Sequence, residues 1–91
     1  MFKKIAPQVA EDSDGFIVQV GGRYTVQYVD GNIQADMEVD FGPTTAIYPS
    51  KLKACRKDGT PIELTPDQKS VIVKRIKDGL KALGVKYEVY T

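Results

Sequence analysis

Histidine and tryptophan are both absent from this chain, and cysteine occurs once, at Cys55. Without histidine there is no Ser-His-Asp or Cys-His catalysis, no imidazole acid–base chemistry and no His-ligated zinc. A single cysteine makes neither an internal disulfide nor a cysteine-rich metal site, and it fits a reducing compartment. No stretch approaches the roughly 20 apolar residues of a membrane-spanning helix. A dominant charge is lacking too: 13 Lys+Arg stand against 12 Asp+Glu, a net charge of +1. Nothing global therefore argues for nucleic acid or a membrane surface. The opening Met1-Phe2-Lys3-Lys4-Ile5-Ala6-Pro7 runs into Gln8, Glu11, Asp12 and Asp14. It lacks the roughly 7–15 consecutive apolar residues of a secretory signal, so a cytoplasmic protein that keeps its N-terminus is expected.

What is present fits one small folded domain. The chain has 91 residues, 42% hydrophobic and 27% charged, which leaves no room for a second core but is ordinary for a globular domain. The near-neutral total hides an asymmetry. Residues 1–48 carry three basic and seven acidic side chains, a net of −4, whereas residues 49–91 carry ten and five, a net of +5. Either the two halves attract each other and are solvated, or they form two surfaces of opposite charge, one of which meets a partner.

Hydrophobic periodicity gives the architecture. Residues 1–14 lack a regular pattern, contain Pro7 and end in an acidic turn, and read as a loosely ordered lead-in to a single domain over 1–91. Phe16 to Val20 is short and rich in β-formers, and Gly21-Gly22 predicts a tight hairpin turn. Arg23 to Val29 alternates, with Tyr24, Val26 and Tyr28 on one face, and Asp30-Gly31-Asn32 marks the next turn. Ile33, Ala35, Met37, Val39 and Phe41 then interleave with Gln34, Asp36, Glu38 and Asp40. This strict period of two predicts a half-buried strand. Ala46-Ile47-Tyr48 starts a fourth strand that Pro49 breaks or confines to an edge. Ser50 to Ala54 reads equally as a short strand or an irregular turn.

Thr65-Pro66-Asp67-Gln68 has every part of a helix start: an N-cap hydroxyl, proline at the first position, an acid at the positive end of the dipole and a capping-box glutamine. Ile72, Ile76, Leu80 and Leu83 form one apolar stripe, and Gly84 ends the helix. Gly79 within the helix costs about 1 kcal/mol against alanine, which implies a packing reason. Val85 to Tyr90 alternates again. The expected fold is α+β: an antiparallel β-meander of three to five strands, one C-terminal amphipathic helix packed on one face, and a closing strand. The helix stripe should meet the odd-numbered face of residues 33–41.

Three constellations are candidates for function. Asp36, Glu38 and Asp40 share one strand face at about 6.5–7 Å intervals. They are a solvated face with basic cross-strand neighbours such as Arg23, an acidic patch for a basic partner, or, least simply, a metal site; a straight strand splays its carboxylates, so no metal is expected. Tyr24 and Tyr28 share a strand face and are either the rim of the core or part of the same partner surface. Lys74, Lys77 and Lys81 form a basic helix ridge, with Lys69 and Arg75 nearby, which is a solvated face or the phosphate contact of a nucleic-acid module; no aromatic lies in the helix to stack on bases. Cys55 has basic neighbours but no base to activate it. No catalytic constellation and no cofactor site emerges, so a non-enzymatic protein is expected.

Three stretches carry a resemblance: Tyr24-Thr25-Val26-Gln27-Tyr28-Val29-Asp30-Gly31, then Ile47-Tyr48-Pro49-Ser50-Lys51-Leu52, and Ile62-Glu63-Leu64-Thr65-Pro66-Asp67-Gln68-Lys69 running into Ile72 and Ile76. Over residues 23–90 the chain resembles a small immunity-protein family of bacterial polymorphic toxin and contact-dependent inhibition systems. It departs from that pattern in having no tryptophan near Ala54 or Cys55. The resemblance implies a non-catalytic inhibitor that occludes a cognate toxin; the residue pattern itself makes Asp36, Glu38, Asp40, Tyr24 and Tyr28 the expected partner contacts. The alternative is a nucleic-acid-associated or regulatory module working through Lys74, Lys77 and Lys81. A homodimer that pairs exposed sheet edges is a further partner reading.

Overall fold

The computed structural model describes residues 1–21 and 24–90. The expected Gly21-Gly22 turn and the cross-strand role of Arg23 therefore fall partly or wholly outside the described residues.

The fold is α+β, with more strands than the sequence pattern announces. Seven strands follow one another as an antiparallel meander: β1 (Phe2–Ala6), β2 (Val9–Asp12), β3 (Ile17–Val20), β4 (Thr25–Asp30), β5 (Ile33–Asp40), β6 (Thr45–Arg56) and β7 (Pro61–Ile62). The helix α1 (Pro66–Ala82) comes next, and then β8 (Tyr87–Val89). The lead-in expected over 1–14 is instead a β-hairpin, β1 with β2, that extends the sheet. Its strands bury little; Ala10 is the only fully buried residue of the pair. The ladder rests on backbone hydrogen bonds, which leave no hydrophobic period to read.

The undecided stretch 50–54 belongs to one twelve-residue strand that runs straight through Pro49. The register explains how. Asp36 pairs with Lys53, yet Glu38 pairs with Tyr48, so β6 carries three more residues than β5 across this step. Pro49 stands in that bulge, where no ladder N–H is required of it. Beyond the bulge, the outer edge of β6 is shared. Ala54 and Cys55 take β7, whereas Thr45 to Ile47 take β8. The closing strand is therefore parallel to its neighbour, a pairing that needs a crossover of helix length, and α1 supplies it.

The helix begins and ends as its residues dictate. Thr65 Oγ1 accepts from the Gln68 backbone N–H at 3.2 Å, and the Gln68 side chain accepts from the Thr65 N–H at 2.9 Å. At the other end Gly84 takes φ 77°. Its N–H donates to the Lys81 carbonyl and the Val85 N–H to the Leu80 carbonyl, each at 3.0 Å, which closes the last turn as a Schellman motif.

One face of the curled sheet and one face of the helix make the core. Val18, Val26, Tyr28, Ala35, Met37, Val39, Ile47 and Leu52 pack with Ile72, Ile76 and Leu80. The stripe and the odd face of β5 do share this core, but the match to the expectation is partial. Ile33, Phe41 and Leu83 are only half-buried, and the helix backbone lies nearest to β1, β2, β3 and β4. The two N-terminal strands that the sequence pattern missed are what carry the sheet under the helix. Among the described residues, no helix is long and apolar enough to cross a membrane.

Candidate functional site

The helix packs on one sheet face, and β5 leaves its opposite face exposed. Along β5 the burial alternates without exception from Gln34 to Asp40, so Asp36, Glu38 and Asp40 all stand exposed on that open face. Cross-strand register gives each acid its neighbours. Asp36 lies between Gln27 and Lys53, Glu38 between Thr25 and Tyr48, and Asp40 beside Ala46. A lysine thus offsets the first acid, while the other two have uncharged partners in register. A groove of about 290 Å³ runs here between Tyr24, Thr25, Asp36, Glu38, Lys51 and Lys53.

The final strand extends this surface in a way the sequence pattern did not announce. Ala46 is in register with Glu88, and the Tyr48 and Tyr90 rings lie 5.9 Å apart. The Tyr90 hydroxyl donates to Glu88 Oε2 at 2.8 Å, and that bond to a carboxylate holds the phenol pKa above its usual value. Tyr90 remains 47% exposed, so the ring pair is open to solvent. The alternation of residues 85–90 announced a strand; nothing in it named β6 as the neighbour.

The two tyrosines expected to act together are separated. Tyr24 is exposed at the groove. Tyr28 is fully buried under the helix and is unavailable to a partner, which corrects that expectation. Its apolar strand position takes it into the core, and its hydroxyl finds partners there, as buried phenols require. Arg75 Nη1 donates to Tyr28 Oη at 2.8 Å, and that hydroxyl lies 3.3 Å from Asp30 Oδ2 as donor. The guanidinium also pairs with Asp30 at 3.5 Å and stacks 3.8 Å from the centre of the Phe16 ring. Burial pushes the Tyr28 pKa up, and Asp30 adds to this, while the Arg75 hydrogen bond opposes it. Arg75 therefore serves to join α1 to β4 and to Phe16, the residue before β3.

The basic ridge is interrupted. Lys74 pairs with Asp78 one turn along the helix at 3.3 Å, and Lys77 is half-buried. Lys74 and Lys81 border a cavity of about 530 Å³ whose other walls include Asp12, Asp14 and Asp78. Arg75 and the Met1 ammonium also line it, but Met1 is paired with Asp12, Lys74 with Asp78 and Arg75 with Asp30. Among the described residues this leaves Lys81 as the cation of the lining outside an ion pair, a weak attraction for a polyanion. Cys55 is half-buried at the β7 edge. Among the described residues, no three His, Cys, Asp or Glu side chains converge to hold a metal. The edge strand β1 carries Lys3, Lys4 and a register shift between Lys4 and Ala6, features that discourage edge-to-edge pairing.

No protein-family model matches this sequence, and no curated protein or solved structure matches it either.

Proposed function

We propose that this chain is a non-catalytic binding protein that occludes a basic partner protein, in the manner of the immunity proteins it resembles. The observation that supports this reading is the exposed row Asp36, Glu38 and Asp40 on the sheet face opposite the helix. Toxin domains that cleave nucleic acid carry cationic surfaces for their anionic substrate, and an acidic sheet face is complementary to such a surface. The acids stand on a strand backed by a packed core, which keeps the backbone part of the ordering cost on binding low. Catalysis has no part in this reading.

The test uses the product of the gene adjacent to the coding sequence, with association and dissociation measured by surface plasmon resonance. Replacing Asp36, Glu38 and Asp40 by Asn, Gln and Asn should slow association and flatten its dependence on salt, because exposed complementary charges act chiefly on encounter. The fold should persist, since all three side chains are exposed. Unchanged kinetics would place the interface elsewhere, and the absence of any complex would remove the immunity reading itself.

A further inference from the structure

The corner of the open face where β8 joins β6 has a composition of its own. Ala46, small and half-buried, lies in register with Asp40 on one side and Glu88 on the other. Adjacent strands lie about 4.8 Å apart, so these two carboxylates flank the alanine across roughly 10 Å. One side-chain repeat along, the next row is Glu38, Tyr48 and the Tyr90 ring packed on Tyr48. The Tyr90 hydroxyl bonds one oxygen of Glu88 and holds that carboxylate against the aromatic wall. The surface thus places one small residue beside two neighbouring rings and three acids. Lys86, which precedes β8, is the one lysine adjacent in sequence to this corner.

We infer that this corner is an arginine-docking cradle: a guanidinium from a partner protein lies over Ala46, between Asp40 and Glu88, with its plane against Tyr48 and Tyr90. The inference rests on the partner-protein reading above and gives that partner its anchoring residue. Two independent properties select arginine. Carboxylates on two sides suit a planar ion with five diverging donors, where an ammonium satisfies one side at a time. Tyrosine rings offer a negative face on which a guanidinium stacks and a hydrated ammonium does so less well. Aromatic residues that stay exposed beside complementary charge are also the composition of interface hot spots.

The probe is acetyl-Gly-Arg-Gly-amide, titrated into the ¹⁵N-labelled protein with acetyl-Gly-Lys-Gly-amide as the comparison. The expected result is saturable shifts of the Ala46, Tyr48, Glu88 and Tyr90 amides, stronger for the arginine peptide. Glu88→Gln and Tyr90→Ala should each weaken that binding, the former about fivefold for loss of a charge-assisted pair. Both side chains are exposed, and circular dichroism checks that each variant is folded. Equal response to the two peptides, or shifts centred on Lys53 and Asp36, would overturn the cradle. Binding of the arginine peptide while no neighbouring gene product forms a complex would leave the cradle standing and remove the toxin reading. A toxin complex weakened by the Asp36, Glu38 and Asp40 triple variant but indifferent to Glu88→Gln and Tyr90→Ala would do the reverse.

Discussion

Gly79 and Val18 touch where the helix crosses the sheet: a β-carbon placed on Gly79 would stand 2.5 Å from the Val18 Cβ. Real side chains do not approach so closely. The helix thus accepts a residue of poor helical propensity because any other would lift it off β3. That contact fixes the height of the helix over the core and brings Ile76 and Leu80 into full burial.

The first prediction follows from this contact. Gly79→Ala should destabilise the protein by about 1–3 kcal/mol through overpacking, although alanine in a free helix gains about 1 kcal/mol over glycine. Adding Val18→Ala should recover part of the loss. Urea denaturation of the two single variants and the double variant gives the coupling. A stabilised Gly79→Ala protein would mean that the helix stands further from β3 than described.

Arg75 provides the second. Truncation to Ala removes the bond to Tyr28, the pair with Asp30 and the stack on Phe16. A loss of about 1–3 kcal/mol is expected from a hydrogen bond to a charged group together with a partly exposed cation–π contact. Arg75→Lys should restore little, since a compact, strongly hydrated ammonium does not stack as a plane on the Phe16 ring. Thermal unfolding of the two variants measures the difference.

Tyr28 sets a limit at high pH. Its folded pKa is raised above 10.0 chiefly by burial. The folded protein therefore holds this proton more tightly than the unfolded chain does. The contribution is fully present below about pH 10 and is lost as pH rises through the folded pKa. Stability should fall between those values, and less steeply in Tyr28→Phe. Denaturation midpoints of the two proteins from pH 8 upward provide the comparison, and parallel curves would contradict it.

The core makes the fourth prediction. Ile76→Ala, at a position with no exposure, should cost about 2–5 kcal/mol. Truncating Leu83, half-buried at the end of the same stripe, should cost clearly less. Equal losses would show that the helix is rotated from its described position.

The last concerns polyanions. Lys74 is already paired, and Asp12 and Asp14 face the same cavity. Binding to duplex DNA should stay within the non-specific range of about 10⁻⁴–10⁻⁶ M at physiological salt. Fluorescence anisotropy showing nanomolar affinity, abolished by Lys77→Glu with Lys81→Glu, would restore the nucleic-acid reading.

The readable parts of the sequence were those where one residue type has one local role. Thr65 to Gln68 and Gly84 act on their own backbone, so their caps could be located without knowing any neighbour. The alternation of β5 survives because the shared core covers one of its faces and water the other. The pairing of β8 with β6 depends instead on where α1 returns the chain, and no local pattern encodes that. Tyr28 misled for a related reason. Its alternation partner Tyr24 is exposed beyond the start of β4, so two residues of one face in sequence occupy opposite environments in space. Arg75 carried a weak signal: it sits next to Ile76 and three residues after Ile72, on the flank of the apolar stripe.

The parallel joining of β8 to β6 also has a temporal meaning. Every other strand pair closes over a short stretch of chain, whereas Ile47 must wait for Val89. Contacts of such long sequence separation pay their loop entropy before they gain any reward. The pairing of Tyr48 with Tyr90 is therefore expected among the last contacts to form. The outer corner of the sheet then behaves as a completion mark: a chain that has stalled before its last strand has most of its core residues, but not the paired Tyr48 and Tyr90 rings.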